Sequence, residues 1–190
     1  PIAYLNIWDD YPTPLYNKAF YEACDLLMGI SKQTVNINKL VLDDKVGDKV
    51  IRYVPHGLDE TLFYPITPES KDYNNFVEFK QQILNNKEFE YIVFFNSRNI
   101  RRKQIPDTML AFRYFLDKLP KEQAKKCALL LHTELVSDHG TDLIAVKELL
   151  FEGFEDNVIF TNGKYSTQQM NYLYNIADTQ ILLSSNEGWG

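Results

Sequence analysis

The sequence has no excess of basic charge: 20 lysines and arginines stand against 26 aspartates and glutamates, for a net charge of −6. That excludes nucleic acid as a bulk partner, because no surplus of cations exists to displace counterions from a phosphate backbone. Cysteine is scarce. Cys24 and Cys127 lie far apart, each in apolar sequence, so they read as buried free thiols in a reducing, cytoplasmic compartment. Two cysteines so separated make no zinc site. No run approaches the ~20 apolar residues of a membrane span, which leaves only peripheral membrane contact of the intact protein open. Residues 1–8, PIAYLNIW, lack the basic leader and small-residue cleavage site of a signal peptide. GxGxxG and GxxxxGK(S/T) are both missing, which removes a nicotinamide dehydrogenase and a P-loop nucleotidase.

What is present is a foldable core. Apolar residues make up 45% of the 190 and aromatics 14%, enough for one domain or one and a half. The chain opens on proline within a strand-like stretch and stops at SSNEGWG, so it is expected to be an internal piece of a longer protein. Residues 2–8 read as a buried strand, 15–25 as a helix and 26–30 as a second strand. Ser31 is placed to cap a helix reaching Leu42, and 50–54 reads as a third strand. Residues 58–70 have no clear period and read as a connector, followed by a helix over 76–84.

From Tyr91 the pattern becomes regular. Strand-like runs at 91–97, 128–132, 157–161 and 179–183 alternate with helical patterns at 107–119, 142–151 and 166–177. Ser166 and Gln169 form a capping box for the last helix. The expected architecture is α/β, a parallel sheet wound by right-handed crossovers. Domain boundaries are expected at 1–44 (the tail of a first domain), 45–90 (connector and helix) and 91–190 (a second domain, incomplete).

In such a sheet the loops at the carboxyl ends of the strands share one side, and ligands bind there. Here those loops are 97–103, 132–134, 162–165 and 184–190. They gather cations, glycines and a carboxylate, which points to an anionic, hydroxyl-bearing ligand. Arg98, at its strand's end, and Lys103, near the next helix start, are candidates for a phosphate clamp, since charge-assisted bonds to phosphate contribute about 1.5–3 kcal/mol each. Arg101 and Arg102 read as a solvated basic loop. Glu187 is either an ordinary loop carboxylate or one brought close to a ligand by Gly188 and Gly190. His132 ends a strand, His139 lies in a polar loop and His56 in a turn, with no metal-ligand spacing among them. Asp9 and Asp10 are a carboxylate pair, but adjacent turn residues point apart, and no metal site is expected.

The order of these pieces resembles the retaining nucleotide-sugar glycosyltransferases of the GT-B fold, family four in the broad sense. VPHGLDETLFYP (54–65) resembles their interdomain segment and FFNSRNIRRK (94–103) their phosphate motif. NVIFTNGKYSTQQMNYLYNIADTQILLSSNEGWG (157–190) resembles the run ending in EGxG. The resemblance covers residues 25–190. It implies a Rossmann-type donor domain preceded by the tail of a second Rossmann-like domain, and hexosyl transfer from a nucleotide-diphosphate sugar to a glycan, lipid or protein acceptor with retention of configuration. By the same resemblance Arg98 and Lys103 hold the diphosphate, and Glu187 with Gly188, Trp189 and Gly190 lies beside the donor sugar. Asn162, Gly163 and Lys164, in the loop to Tyr165, meet the base or ribose. Neither metal nor organic cofactor is implied, and a second glutamate would fall eight residues after Glu187. Ser97 and Gln104 depart from the family by replacing the glycines before Arg98 and after Lys103, and both substitutions reduce backbone freedom. The chain alone is expected to be inactive. A nucleotide-sugar epimerase of the same fold, or a non-catalytic sugar-nucleotide-binding module, are the alternatives.

Overall fold

A computed structural model of the protein describes residues 1–8 and 13–187, in two compact units. The first comprises Pro1–Leu58 with Asn186 and Glu187, the second Asp59–Ser185.

The first unit is a parallel sheet of three strands in the order β1 (Ala3–Asn6), β2 (Leu26–Gly29) and β3 (Val50–Tyr53), with helices α1 (Lys18–Ala23) and α2 (Lys32–Leu42). Ser31 caps α2 as expected, its hydroxyl accepting the Thr34 N–H at 2.9 Å. The core is small: Tyr21, Cys24, Leu27, Ile37, Val41 and Leu42. The expected buried strand over 2–8 is corrected by the structure. Among the described residues β1 pairs only with β2, and Ile2, Tyr4 and Leu5 stay exposed because the core cluster described for this unit gathers around Leu27 of the central strand. Only Asn6 on that strand is buried, its side-chain amide donating to Asn38 Oδ1 at 2.8 Å. The helix expected over 15–25 begins as a single tight turn at Leu15–Asn17 before α1.

The second unit opens with α3 (Tyr73–Ile83) and then alternates β4 (Tyr91–Asn96), α4 (Ile105–Asp117), a one-turn α5 (Lys121–Ala124), β5 (Cys127–His132), α6 (Leu143–Leu150), β6 (Val158–Thr161), α7 (Thr167–Ile176) and β7 (Thr179–Gln180). The strand order is β6-β5-β4-β7, all parallel. Both faces of this sheet are covered, so its strands are continuous apolar runs rather than alternating ones. Val93, Phe95, Leu129 and Leu131 pack with Ile105, Met109, Phe112 and Leu116 of α4. On the opposite face, Ile92, Phe94, Leu130 and Ile159 pack with Phe76 and Phe79 of α3 and Leu173 and Ile176 of α7. The capping box forms: Ser166 Oγ accepts from Gln169 N at 3.2 Å, and Gln169 Oε1 from Ser166 N at 2.9 Å. The strand expected over 179–183 is shorter, because β7 is an edge strand paired at Thr179 and Gln180, with further flanking bonds from Asp178 N to Ile92 O and from Ile181 N to Phe94 O, both at 2.9 Å.

The aperiodic segment before α3 is pinned to α7. Asn171 Oδ1 accepts from Tyr64 N at 3.1 Å, Asn175 Oδ1 from Ile66 N at 2.8 Å, and Asn175 Nδ2 donates to Tyr64 O at 3.0 Å. The buried carboxylate of Asp72 adds a tie, accepting the Tyr64 hydroxyl at 3.0 Å and, from α7, the Gln168 side-chain amide at 3.4 Å. These bonds do for irregular backbone what a sheet ladder does for a strand.

Candidate functional site at the carboxyl rim of the second sheet

β4 ends at Asn96, and Ser97 N–H still bonds across to His132 O at 3.3 Å. Arg98 then leaves the sheet with its side chain exposed and, among the described residues, without a hydrogen-bond or ion-pair partner. Arg101–Lys103 form a tight turn that ends on Gln104, and α4 starts at Ile105, with Pro106 in a first turn that needs no N–H from it. Lys103 is half-buried.

Gln104 has φ 47° and ψ 46°, the left-handed conformation that favours glycine. The backbone at Gln104 is thus glycine-like although the side chain is not. The Gln104 carbonyl accepts the Thr108 N–H at 3.0 Å and hydroxyl at 3.2 Å, which anchors the start of α4. Ser97 is not among the described residues with positive φ, so its substitution carries no such strain.

The loops after β5 and β6 meet through His132. Its Nδ1 lies 3.1 Å from the Thr161 carbonyl oxygen and 2.9 Å from the Thr161 hydroxyl. A carbonyl only accepts, so Nδ1 carries the proton and Nε2 is left as an acceptor. Burial pushes the His132 pKa below the usual histidine range, ahead of the opposing bond to Thr161. The ring lies 5.1 Å from that of Tyr165, tilted by 33°. Asn162, Gly163 and Lys164 are exposed on the same loop. Gly163 has ordinary φ, and a Cβ there would meet only the Tyr165 ring, at 3.8 Å, so neither strain nor crowding requires glycine.

The loop after β7 joins the same rim, Ser185 N–H donating to Arg102 O at 2.9 Å. Arg98, Lys103 and Asn162–Lys164 thus stand on the carboxyl rim of one sheet. Glu187 is half-buried and belongs to the first unit. Gly188, Trp189 and Gly190, and the Asp9–Asp10 pair, lie outside the described residues. Among the described residues no cluster of three or more metal-ligating side chains occurs, and no helix is long and apolar enough to cross a membrane. Both cysteines are buried and unbridged, and burial raises both thiol pKa values.

Sequence reasoning missed Asn99. It is buried between the cations of the β4 loop and bonds to the β5 loop at Glu134 and Thr141. An asparagine in a charged stretch gives no sign that its partners are backbone groups some 35 to 42 positions away.

No protein-family model matches the chain, and no curated protein matches it. Solved structures do. The chain is similar to an alpha,alpha-trehalose 6-phosphate synthase from Burkholderia multivorans, with TM-score 0.66 and 11% identity over 100% of this chain and 47% of that one. It is also similar to the N-terminal domain of a trehalose-6-phosphate phosphatase from Candida albicans, with TM-score 0.64 and 13% identity over 88% of this chain and 40% of that one. The chain thus spans less than half the length of either. At such identities the likeness is one of fold, and the fold is the GT-B-like α/β arrangement of Rossmann-type parallel sheets.

Proposed function

We propose that, on this glycosyltransferase-type fold, the protein transfers a hexosyl group from a nucleotide-diphosphate sugar to a glycan, lipid or protein acceptor, in the cytoplasm and with retention of configuration. The observation that carries the reading is Arg98, its side chain exposed and, among the described residues, without a partner at the end of a central parallel strand, five residues before Lys103 on the same strand-to-helix turn. Breaking the bond between the sugar's anomeric carbon and the diphosphate leaves negative charge on the phosphate oxygens. Cations already in place stabilise that charge as it develops, with no reorganisation at the moment of reaction. They take the part a metal ion plays elsewhere, so the proposal is of metal-independent transfer. Glu187, with the backbone of Gly188 to Gly190, is assigned to the donor sugar, and Asn162–Lys164 to the base or ribose. The two structural relatives carry names of different reactions, a synthase and a phosphatase, so the fold alone does not choose the chemistry. Retention of the left-handed backbone at Gln104 favours a working phosphate turn over a module that kept only the fold.

The test is transfer by the intact protein from a panel of labelled nucleotide sugars, with and without EDTA, and product analysis to separate transfer from epimerisation. Arg98→Ala is expected to cost about 2–4 kcal/mol of transition-state stabilisation, roughly 30- to 1000-fold in rate. Unchanged kinetics in a folded Arg98→Ala protein remove the residue from the mechanism, and complete loss of activity in EDTA overturns metal independence.

A further inference from the structure

Asn99 follows Arg98 directly and is 1% exposed. Its side-chain amide bridges two loops of the rim. Nδ2 donates to Glu134 O at 3.1 Å and Thr141 O at 2.6 Å, while Oδ1 accepts from Thr141 N at 3.1 Å. Both donors and the acceptor are used, and all three partners are backbone groups of one loop, 134–141. Alongside, Arg101 N–H donates to His139 O at 3.0 Å. Gly140 shows how close the two loops run: a Cβ there would sit 2.1 Å from Asn99 Oδ1 and 2.4 Å from its carbonyl oxygen. Its φ is not left-handed, so the close approach alone demands glycine.

We propose that Asn99 is a positioning residue for the diphosphate site, holding the turn that carries Arg98 against the 134–141 loop. The inference rests on the reading of Arg98 as a diphosphate cation. A buried amide is expensive to leave unpaired, so this turn has one favoured seat. The Arg98 side chain, adjacent to the seat, has no partner among the described residues. Its cation is held in place through the backbone, and Asn99 fixes that backbone. The loop after β5, which carries no cation of the clamp, thereby becomes a determinant of diphosphate binding.

The experiment is a double-mutant cycle on the full chain, by calorimetric titration with UDP, GDP and ADP and with the matching nucleosides. Arg98→Ala and Asn99→Ala are each expected to weaken diphosphate binding by about tenfold or more. The double variant is expected to bind no more weakly than Arg98→Ala alone, because both changes remove one interaction. Nucleoside affinity is expected to be unchanged. Should Asn99→Ala fail to fold, Gly140→Ala displaces the Asn99 amide from the other side and enters the same cycle. Additive losses, or an equal loss of nucleoside affinity, overturn the positioning role, as does failure of both variants to fold. Absence of diphosphate binding in the parent chain, or an Arg98→Ala variant that binds as the parent does, removes the underlying reading instead.

Discussion

The two units carry the same kind of sheet and invest it differently. The sheet of β4 to β7 is covered on both faces, and Phe94, Phe95, Leu129, Leu130 and Leu131 are fully buried in it. The sheet of β1 to β3 has one modest cluster, and Ile2, Tyr4, Leu5, Val50 and Tyr53 remain exposed on its strands or beside them. The cations assigned to the diphosphate stand on the sheet whose two faces are both covered among the described residues. Irregular backbone at its rim can then hold a costly conformation, because the packed layers beneath over-determine it.

The strongest way to break this contrast is to truncate one apolar side chain in each sheet. Phe94→Ala, at a site with 0% exposure, is expected to destabilise the second unit by about 3–5 kcal/mol. Leu5→Ala, where the side chain is 43% exposed, is expected to cost the first unit under about 1 kcal/mol. Native-state hydrogen exchange reads each unit separately, and equal losses would erase the distinction. A smaller effect sharpens the view of the rim. Gln104→Gly relieves a left-handed glutamine and is expected to stabilise the second unit by up to about 1 kcal/mol, less the added freedom of the unfolded chain. A loss of stability in chemical denaturation would show that the Gln104 side chain contributes more than its backbone costs.

The smallest effect is set by pH. Burial lowers the His132 pKa below the ordinary histidine value of about 6.5, so the unfolded chain binds the proton more readily than the folded one. Its contribution to stability is full above about pH 6.5 and falls as the pH drops below that value. Between pH 7.5 and 5.5, His132→Gln is expected to flatten the loss of stability relative to the parent. A pH profile that is identical in the two proteins would remove His132 as its source.

The doubly covered sheet is also where the sequence was most legible. Strands buried on both faces must be apolar at every position, and helices that cover them carry one stripe, as Met109, Phe112 and Leu116 do on α4. The capping box at Ser166 was readable because its partner lies three residues away. The exposure of β1 was not, since Ile2, Tyr4 and Leu5 would look the same at an edge as at the centre of a sheet. The short pairing of β7 depends on which neighbour it finds, and the single turn of α5 is too brief to show a period. The left-handed backbone at Gln104 gave no sign in the residue itself, since glutamine rarely adopts it. Asn99 was invisible for a different reason. Its partners are main-chain groups of a distant loop, and main-chain groups leave no mark in a residue string.

The pinning of residues 64 to 66 to α7 has a consequence for how the chain is made. Tyr64 is bonded to Asn171 and Asn175 across separations of 107 and 111 residues, and Ile66 to Asn175 across 109. On a ribosome adding about 5–20 residues per second, the backbone at Tyr64 waits on the order of 5–20 s for these asparagines to be synthesised. Contacts this distant in sequence form late, because the loop they close costs entropy before they repay it. Until then, water must satisfy the N–H groups of Tyr64 and Ile66. The first stretch of the second unit to leave the ribosome is therefore among the last to be fastened, and substitutions at Asn171 or Asn175 would act on the order of assembly as well as on the finished fold.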